Sequence, residues 1–496
     1  MSALPPKADI VYDDGNVRFV PEAGILRCGK KGPTGELAMT KFNAIVIGSG
    51  QAGNPLSYDM ADAGWKVAMI EHDHLGGTCI NTGCTPTKTM IASAQVTHYA
   101  RDGAKWGVHT SGTKVDIADV VARKNRNVND WRADLENKFK KRAEYIRLYR
   151  GKGRFIGPHK IAVNGQELES DRIFINTGTR SAIPMIEGLD QIRYLTNASI
   201  MDLLQIPEHL LILGAGYIGL EFGQMYRRFG SDVTVIDHGN QILHQEDADV
   251  SDSLRKSLEA EGIRFILGAR ARRAKESHGE VMLVIEIGER GDTVCGSHLL
   301  VAVGRQPNTD DLGIDKAGIE TDSRGYIKTN ARLETNVPGV WALGDVKGGP
   351  AFTHISFNDY QTVVGNLIRH KNLSIENRIV PYAVYTDPEL GRIGITEREA
   401  RASKRRLKIG TIPMEWVGRA VERDEAAGLM KIIVDAESDK ILGAAILSTD
   451  GGELVQVLMP VMAAGLPYTV LKGAIYIHPT LAEGLWTLME EVRLAE

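Results

Sequence analysis

Hydrophobic positions along the chain gather into short unbroken runs, separated by glycine turns and by stretches of helical period. Phe42–Ile47 is the first run, followed by Gly48-Ser49-Gly50-Gln51-Ala52-Gly53, a helical stretch, and Lys66–Ile70 ending on Glu71. Runs of this length between turn residues fit strands buried on both faces of a parallel sheet. The same order returns at Leu210–Leu213, Gly214-Ala215-Gly216-Tyr217-Ile218-Gly219 and Asp232–Ile236, ending on Asp237. Between the two, residues from Ile117 to about Tyr149 are polar and charge-rich at helical spacing; they read as a solvated helical arm without functional weight. A strand-dominated segment then reaches Ile175-Asn176-Thr177-Gly178. Further strands are expected at Val281–Ile287, at Leu299–Val303 before Gly304-Arg305, and at Val340-Trp341-Ala342-Leu343 running into Gly344-Asp345. An α+β portion starts near Arg378, with strands at Gly428–Val434 and Ile441–Leu447 and helical stretches on either side of Pro467.

The two glycine turns have the spacing and context of dinucleotide-binding fingerprints. In each, one glycine makes the turn, the next lets a pyrophosphate approach the backbone, and the third packs helix on strand. The helix N-terminus faces the phosphates, and the acid at the end of the second strand takes the ribose hydroxyls. Gly48 to Glu71 and Gly214 to Asp237 are both 23 positions. One chain with two matched turns points to two bound cofactors.

Gly76 to Lys88 reads GGTCINTGCTPTK, with Cys79 and Cys84 five positions apart in a chain of four cysteines. Five helical steps span about 7.5 Å along the axis. A disulfide tolerates Cα separations of only about 4.4–6.8 Å. If the two pair, the backbone between them departs from regular helix, and Gly83 and Pro86 permit that departure. Two unpaired buried thiols and a zinc site with His72 and His74 are the other readings of these residues alone.

Composition narrows the classes. The chain has 496 residues, 43% hydrophobic and 25% charged, as in an ordinary soluble protein of several domains. A net charge of −4 gives no reason to expect nucleic-acid or membrane partners. No apolar run is long enough to span a bilayer, and the start lacks the pattern of a secretory signal, so a cytoplasmic location is expected. Residues 1–38, rich in Gly and Pro, read as a loosely held extension or as an upstream start that the native protein does not use.

The motifs GGTCINTGCTPTK, the two GxGxxG turns, Gly304-Arg305-Gln306-Pro307-Asn308, Ala342-Leu343-Gly344-Asp345 and His478-Pro479-Thr480-Leu481-Ala482-Glu483 occur in one order. That order resembles the FAD-dependent pyridine nucleotide-disulfide oxidoreductases over roughly residues 40–490. The resemblance implies an α/β fold with two Rossmann-like dinucleotide-binding domains and a C-terminal α+β dimerisation domain. Its expected divisions are an FAD domain at 39–190, an NAD(P) domain at 191–310, a return segment at 311–375 and a dimerisation domain at 376–496. It further implies electron flow from a nicotinamide through FAD to a Cys79–Cys84 disulfide, Cys84 facing the flavin and Cys79 exchanging with substrate. His478, oriented by Glu483, resembles the acid–base partner that comes from the other subunit of a homodimer. Lys88 and Glu221 resemble the pair beside the flavin, and Asp345 the carboxylate on its ribitol. Thr353 would offer a backbone contact near the pyrimidine ring. Gly153 and Gly178 mark loops that approach the FAD, and Tyr217 stands where some members have a nicotinamide gate.

Asp237 accepts hydrogen bonds from an unmodified ribose and repels a 2′-phosphate, and His238-Gly239-Asn240-Gln241 offers no arginine cluster. NADH is therefore expected rather than NADPH. The electron acceptor that the resemblance implies is a small-molecule disulfide or a soft metal ion. PTK after Cys84, Phe174–Gly178, Phe352–Ser356 and Ala464–Tyr468 resemble the branch of mercuric reductases and of the copper reductase of the reactive-chlorine response. The chain's end, Glu491-Val492-Arg493-Leu494-Ala495-Glu496, lacks the vicinal cysteine pair typical of mercuric reductases. Dihydrolipoyl dehydrogenase, and an NADH oxidase or quinone reductase without disulfide turnover, are the alternatives. No resident metal is expected, and Cys28 and Cys295 read as incidental thiols.

Overall fold

Ala44–Ile47 is buried at every position and lies at the centre of a five-stranded parallel sheet. The computed structural model describes residues 40–495, so the expectations for residues 1–38 and for Cys28 fall outside the described residues. Ala44–Ile47 pairs with Val67–Glu71 on one side and Ile173–Ile175 on the other. Ile146–Arg150 and Val340–Ala342 form the two edges. The last of these is a return: nearly three hundred residues after Ala44–Ile47, the chain rejoins the same sheet. A second parallel sheet repeats the order, with His209–Leu213 between Asp232–Ile236 and His298–Val301, and Ile263–Ile266 outermost. A three-stranded antiparallel meander, 269–296, is inserted between Ile263–Ile266 and His298–Val301.

Two readings of the polar arm are corrected. The helix runs only from Ile117 to Lys140, opened by Asp116, whose carboxylate accepts from the Ala118 and Asp119 amides. Ile146–Arg150, expected to be helical, is the sheet's edge strand; its charged side chains face water, which hid the strand period. Nor is the arm merely solvated. Lys124 is buried, donating to the Met201 carbonyl at 3.0 Å, and Arg123 donates to the Thr89 carbonyl on the helix Cys84–Asp102.

The C-terminal portion is a six-stranded antiparallel sheet backed by short helices, with Ile432, Ile446, Leu458, Leu485 and Leu488 in its core. The hydrophobic core that unites the molecule runs from Met90 on the cysteine helix through Leu210 and Phe222 to Val384 and Leu390. Beside it, the buried Arg392 and Lys431 from the C-terminal sheet meet the buried Glu246 and Asp247 that follow the second parallel sheet's Asp232–Ile236, with the exposed Asp249 at the edge of the cluster. Breaking such a cluster by removing one partner costs several kcal/mol, so it holds these two parts in one arrangement. No helix among the described residues is long and apolar enough to cross a membrane.

Candidate active site

The first glycine turn is built so tightly that its sequence is dictated by contact. Gly48 has φ 99°, and a Cβ there would lie 2.3 Å from the Asn176 carbonyl oxygen. A Cβ on Gly53 would lie 2.1 Å from the Gly48 carbonyl oxygen, which is the close approach of helix to strand. The Gly53 amide donates to Asn176 Oδ1 at 2.9 Å, and Asn176 Nδ2 donates to the Leu343 carbonyl at 2.8 Å. Glu71 is buried and accepts from the Ser49 amide and hydroxyl, at 2.9 and 2.7 Å, and from the Asp73 amide at 2.9 Å. Burial pushes its carboxyl up, but hydrogen bonds from His72, Ser49 and Asp73 prevail and hold it at about 2.

This turn opens onto a cavity of 1190 Å³. Gly48, Gly50, Glu71, Cys79, Cys84, Lys88, Gly153, Gly178, Tyr217, Glu221, Asp345 and Thr353 all line it, drawn from positions hundreds of residues apart. Gly178, at φ 66°, has open space where a side chain would stand, and the Thr177 hydroxyl beside it is buried without a partner. The helix Gly53–Asp62 starts here with no acid in its first turn. A cavity larger than most small-molecule pockets, with a positive helix end and unused polar groups, fits a long anionic dinucleotide such as FAD.

The cysteines sit on separate helices, Gly77–Asn81 and Cys84–Asp102. The break falls at Thr82–Gly83, where a Cβ on Gly83 would come within 2.8 Å of the Thr78 carbonyl oxygen. Pro86 takes no part in it; it lies in the first turn of the second helix, where no amide hydrogen is needed. The Asn81 side chain caps the first helix by donating to the Gly77 carbonyl at 2.9 Å and accepts from Arg132 Nε at 2.7 Å. Asn197 Nδ2 donates to the Thr82 carbonyl at 2.7 Å. The two sulfurs are unbridged. Interaction with the Cys79 thiol, helped by the Thr353 hydroxyl and the Lys88 charge against burial and Glu221, lowers the Cys84 thiol to about 6. Donation to Cys84, and burial, push Cys79 well above the ordinary thiol range.

Lys88 lies one turn beyond Cys84 and pairs with Glu221 at 2.7 Å. Glu221 is buried and also accepts from the Tyr385 amide at 3.0 Å, while the Lys88 ammonium sits 4.5 Å from the Tyr385 ring centroid. Asp345 follows the strand Val340–Ala342 and accepts from the Thr179 hydroxyl at 3.0 Å; Arg305 Nε in turn donates to that hydroxyl at 2.7 Å. The Tyr217 ring packs near Phe352, with centroids 6.0 Å apart, and burial raises its hydroxyl to about 12.

Gly214, Gly216, Gly219, Gly304 and Asp237 do not line this cavity; Gly214, Gly216, Gly219 and Asp237 belong to the second turn, with Tyr217 and Glu221 bridging the two on one helix, while the Gly304 carbonyl accepts from the Ala182 amide at 2.9 Å. Asp237 accepts from the Ala215 amide at 2.7 Å and the Gly239 amide at 2.6 Å. His478 and Glu483 also lie outside the cavity, on the C-terminal portion. The His478 ring is exposed, and its Nδ1 faces Glu483 at 2.9 and 3.1 Å, leaving Nε2 free. Among the described residues no cluster of His, Cys, Asp and Glu is placed to hold a metal; His72 instead contacts Glu71 at 3.2 Å. Sequence reasoning missed Ser49, Asn81, Asn176, Asn197 and Tyr385, whose partners are distant in the chain. The one available signal was Asn176 beside the turn glycine Gly178.

Two nucleotide turns on parallel sheets, with a cysteine pair in the cavity before the first, define a nucleotide-dependent redox enzyme. The family model described as pyridine nucleotide-disulphide oxidoreductase matches residues 42–359, and the model for its dimerisation domain matches residues 380–489. The chain belongs to this family and is an FAD-dependent oxidoreductase. It is 36% identical over 470 residues to the probable pyridine nucleotide-disulfide oxidoreductase RclA of Escherichia coli, covering 92% of this chain and all of that one. It is 32% identical to a mercuric reductase of Lysinibacillus sphaericus, over 90% of this chain and 81% of the relative. A dihydrolipoyl dehydrogenase of Thermus scotoductus is 34% identical over 91% and 97%. The solved Cu(II) complex of the HOCl-induced flavoprotein disulfide reductase RclA superposes with TM-score 0.83 at 35% identity, covering 91% of this chain and 99% of that one.

Proposed function

We propose that this enzyme carries electrons from NADH through FAD to the Cys79–Cys84 pair and on to a small disulfide or a soft metal ion, within a cytoplasmic homodimer. The observation that carries it is the placement of the pair: Cys79 and Cys84 open into the same cavity as Lys88, Glu221 and the first turn, with Cys84 Sγ 3.2 Å from the Thr353 hydroxyl. Bound FAD supplies a two-electron step between nicotinamide and sulfur. The chain does the rest. Two electrons entering the Cys79–Cys84 bond break it; Cys84 keeps the negative charge and Cys79 takes a proton. To attack a disulfide, Cys79 must return that proton to a base, and its raised position makes the base necessary. His478, with Nδ1 held by Glu483, is suited to that task toward the other subunit's cysteines. The cycle then balances: one disulfide, one NADH and one proton give two thiols and NAD⁺. A Cu(II) or Hg(II) ion would meet two sulfur ligands in the same dithiol. The RclA copper complex and the mercuric-reductase relative favour this acceptor class over lipoamide, the second reading, which the 34% identical dihydrolipoyl dehydrogenase keeps in view.

Anaerobic titration of the yellow protein with NADH tests the reading. A long-wavelength thiolate-to-flavin band is expected, and Cys84→Ser abolishes it. Reduction without such a band, with quinone turnover surviving in Cys84→Ser, replaces disulfide chemistry with direct transfer from flavin. NADPH giving the higher kcat/KM overturns the nucleotide assignment, which rests on Asp237 and its two backbone donors.

A further inference from the structure

The Thr353 side chain does something that a backbone contact to a flavin leaves unused. Its Oγ1 lies 3.2 Å from Cys84 Sγ. Thr353 opens the helix Thr353–Leu367, and Cys84 opens the helix Cys84–Asp102. Two helix N-termini therefore meet at one sulfur, each favouring negative charge there. Neither helix carries an acid in its first turn or a side-chain cap. Counting protons sharpens the point. When the dithiol has lost one proton, two hydrogens remain among these three atoms, one on the Cys79 sulfur and one on the Thr353 oxygen. If both point to Cys84, that sulfur accepts twice and carries the charge. If the hydroxyl turned to Cys79 instead, the asymmetry of the pair would weaken.

We propose that Thr353 is a positioning residue for the redox pair: its hydroxyl donates to Cys84 and fixes the charge on that sulfur rather than on Cys79. This rests on the disulfide reading above. The other groups around Cys84 are Cys79 from the helix Gly77–Asn81, Lys88 on its own helix, Glu221 and Tyr217 from the helix Tyr217–Phe229, and Tyr385 before the strand Glu389–Gly394. Lys88 is already paired with Glu221, so part of its charge is spent, and both tyrosines stay neutral in the working range. A neutral donor in direct contact then decides which sulfur is charged. Threonine suits the task because branching at Cβ restricts its side-chain rotamers.

The test uses the full-length holoenzyme, reduced anaerobically, in wild type, Thr353→Val, Thr353→Ser and Cys84→Ser. Iodoacetamide labelling of the Cys84 peptide is followed by mass spectrometry across pH 5–9. Thr353→Val keeps the shape and loses the hydroxyl; its labelling curve should move to higher pH, with the rate at pH 5 falling about tenfold, as a one-unit move requires. The long-wavelength band should weaken at pH 7 and return as the pH is raised. Thr353→Ser should follow wild type in both readouts. Thr353→Val curves that superimpose on wild type, or Thr353→Ser curves that match Thr353→Val, overturn the proposal while leaving the disulfide reading intact. A wild type without the band, behaving as Cys84→Ser does, removes both.

Discussion

The two glycine turns have the same plan and different finishes. In both, the residue after the first glycine donates its amide to the acid 22 positions on, and so does the amide two residues beyond that acid: Ser49 and Asp73 to Glu71, Ala215 and Gly239 to Asp237. In both, the third glycine presses on the carbonyl of the first, each hypothetical Cβ lying 2.1 Å away. They differ underneath. Asn176 floors the first turn and ties it to Leu343, after the returning strand; at the matching place in the second turn stands Ala302, which offers only its backbone. A Cβ on Gly50 would meet Asn176 Oδ1 at 2.7 Å, whereas one on Gly216 would meet nothing within 4 Å. A floor locked by side chains suits a group that stays, and an open turn held by backbone suits one that comes and goes. On the proposed assignment, the same fingerprint serves a resident cofactor at the first turn and an exchanging one at the second.

Turning the first floor into the second is the strongest way to break the comparison. Asn176→Ala leaves the Gly53 amide and the Leu343 carbonyl without partners, each at about 1–3 kcal/mol. A fall in the urea midpoint corresponding to about 2–6 kcal/mol is expected, together with loss of flavin on gel filtration. Full flavin retention in that variant would dissolve the distinction drawn between the turns.

Glu71 gives the next effect, and it depends on pH. Its folded carboxyl sits at about 2, below the unfolded value of about 4.3. The stabilisation is therefore complete above that unfolded value and is lost as pH falls toward 2, with a ceiling of order 3 kcal/mol. The stability gap between wild type and Glu71→Gln should be constant from pH 6 to 7 and close on acidification below about pH 4. A gap that widens on acidification contradicts the assignment. At the second turn, Asp237→Asn keeps one oxygen for the Ala215 or Gly239 amide but removes the charge facing a 2′-phosphate. The ratio of kcat/KM for NADH over NADPH should fall about tenfold, or 1.4 kcal/mol, with flavin content unchanged.

The glycine turns were legible because they are local: strand, turn, helix and terminal acid lie within a couple of dozen residues, and backbone contact decides each glycine. The break between the cysteines was legible for the same reason, although Gly83 rather than Pro86 makes it. What could not be read is set by residues far apart in the chain. Asn176 and Leu343 meet only because a strand returns to the first sheet, and Arg132 reaches Asn81 from a helix whose polar surface looked merely solvated. The edge strand Ile146–Arg150 was lost in that same polarity, since two of its arginines face water where a central strand would have shown an apolar run. Lys88 and Glu221 were paired by resemblance, and the resemblance did not announce Tyr385 as the third member.

Gly216→Ala is the smallest change and the finest probe of the open turn. Gly216 precedes the helix Tyr217–Phe229 in extended backbone, at φ −77° and ψ 175°, so alanine fits there without strain. With no atom within 4 Å of the new methyl, folding stability should stay within about 0.5 kcal/mol of wild type, as for an unhindered surface change. The methyl instead occupies the approach that a pyrophosphate would use. KM for NADH should rise several-fold, with kcat and the flavin spectrum unaltered, because the interaction removed is equal in ground and transition states. The same substitution at Gly50 drives a methyl into Asn176 and should release flavin. If Gly216→Ala binds NADH as wild type does, the pyrophosphate does not pass over the second turn, and its openness has another cause.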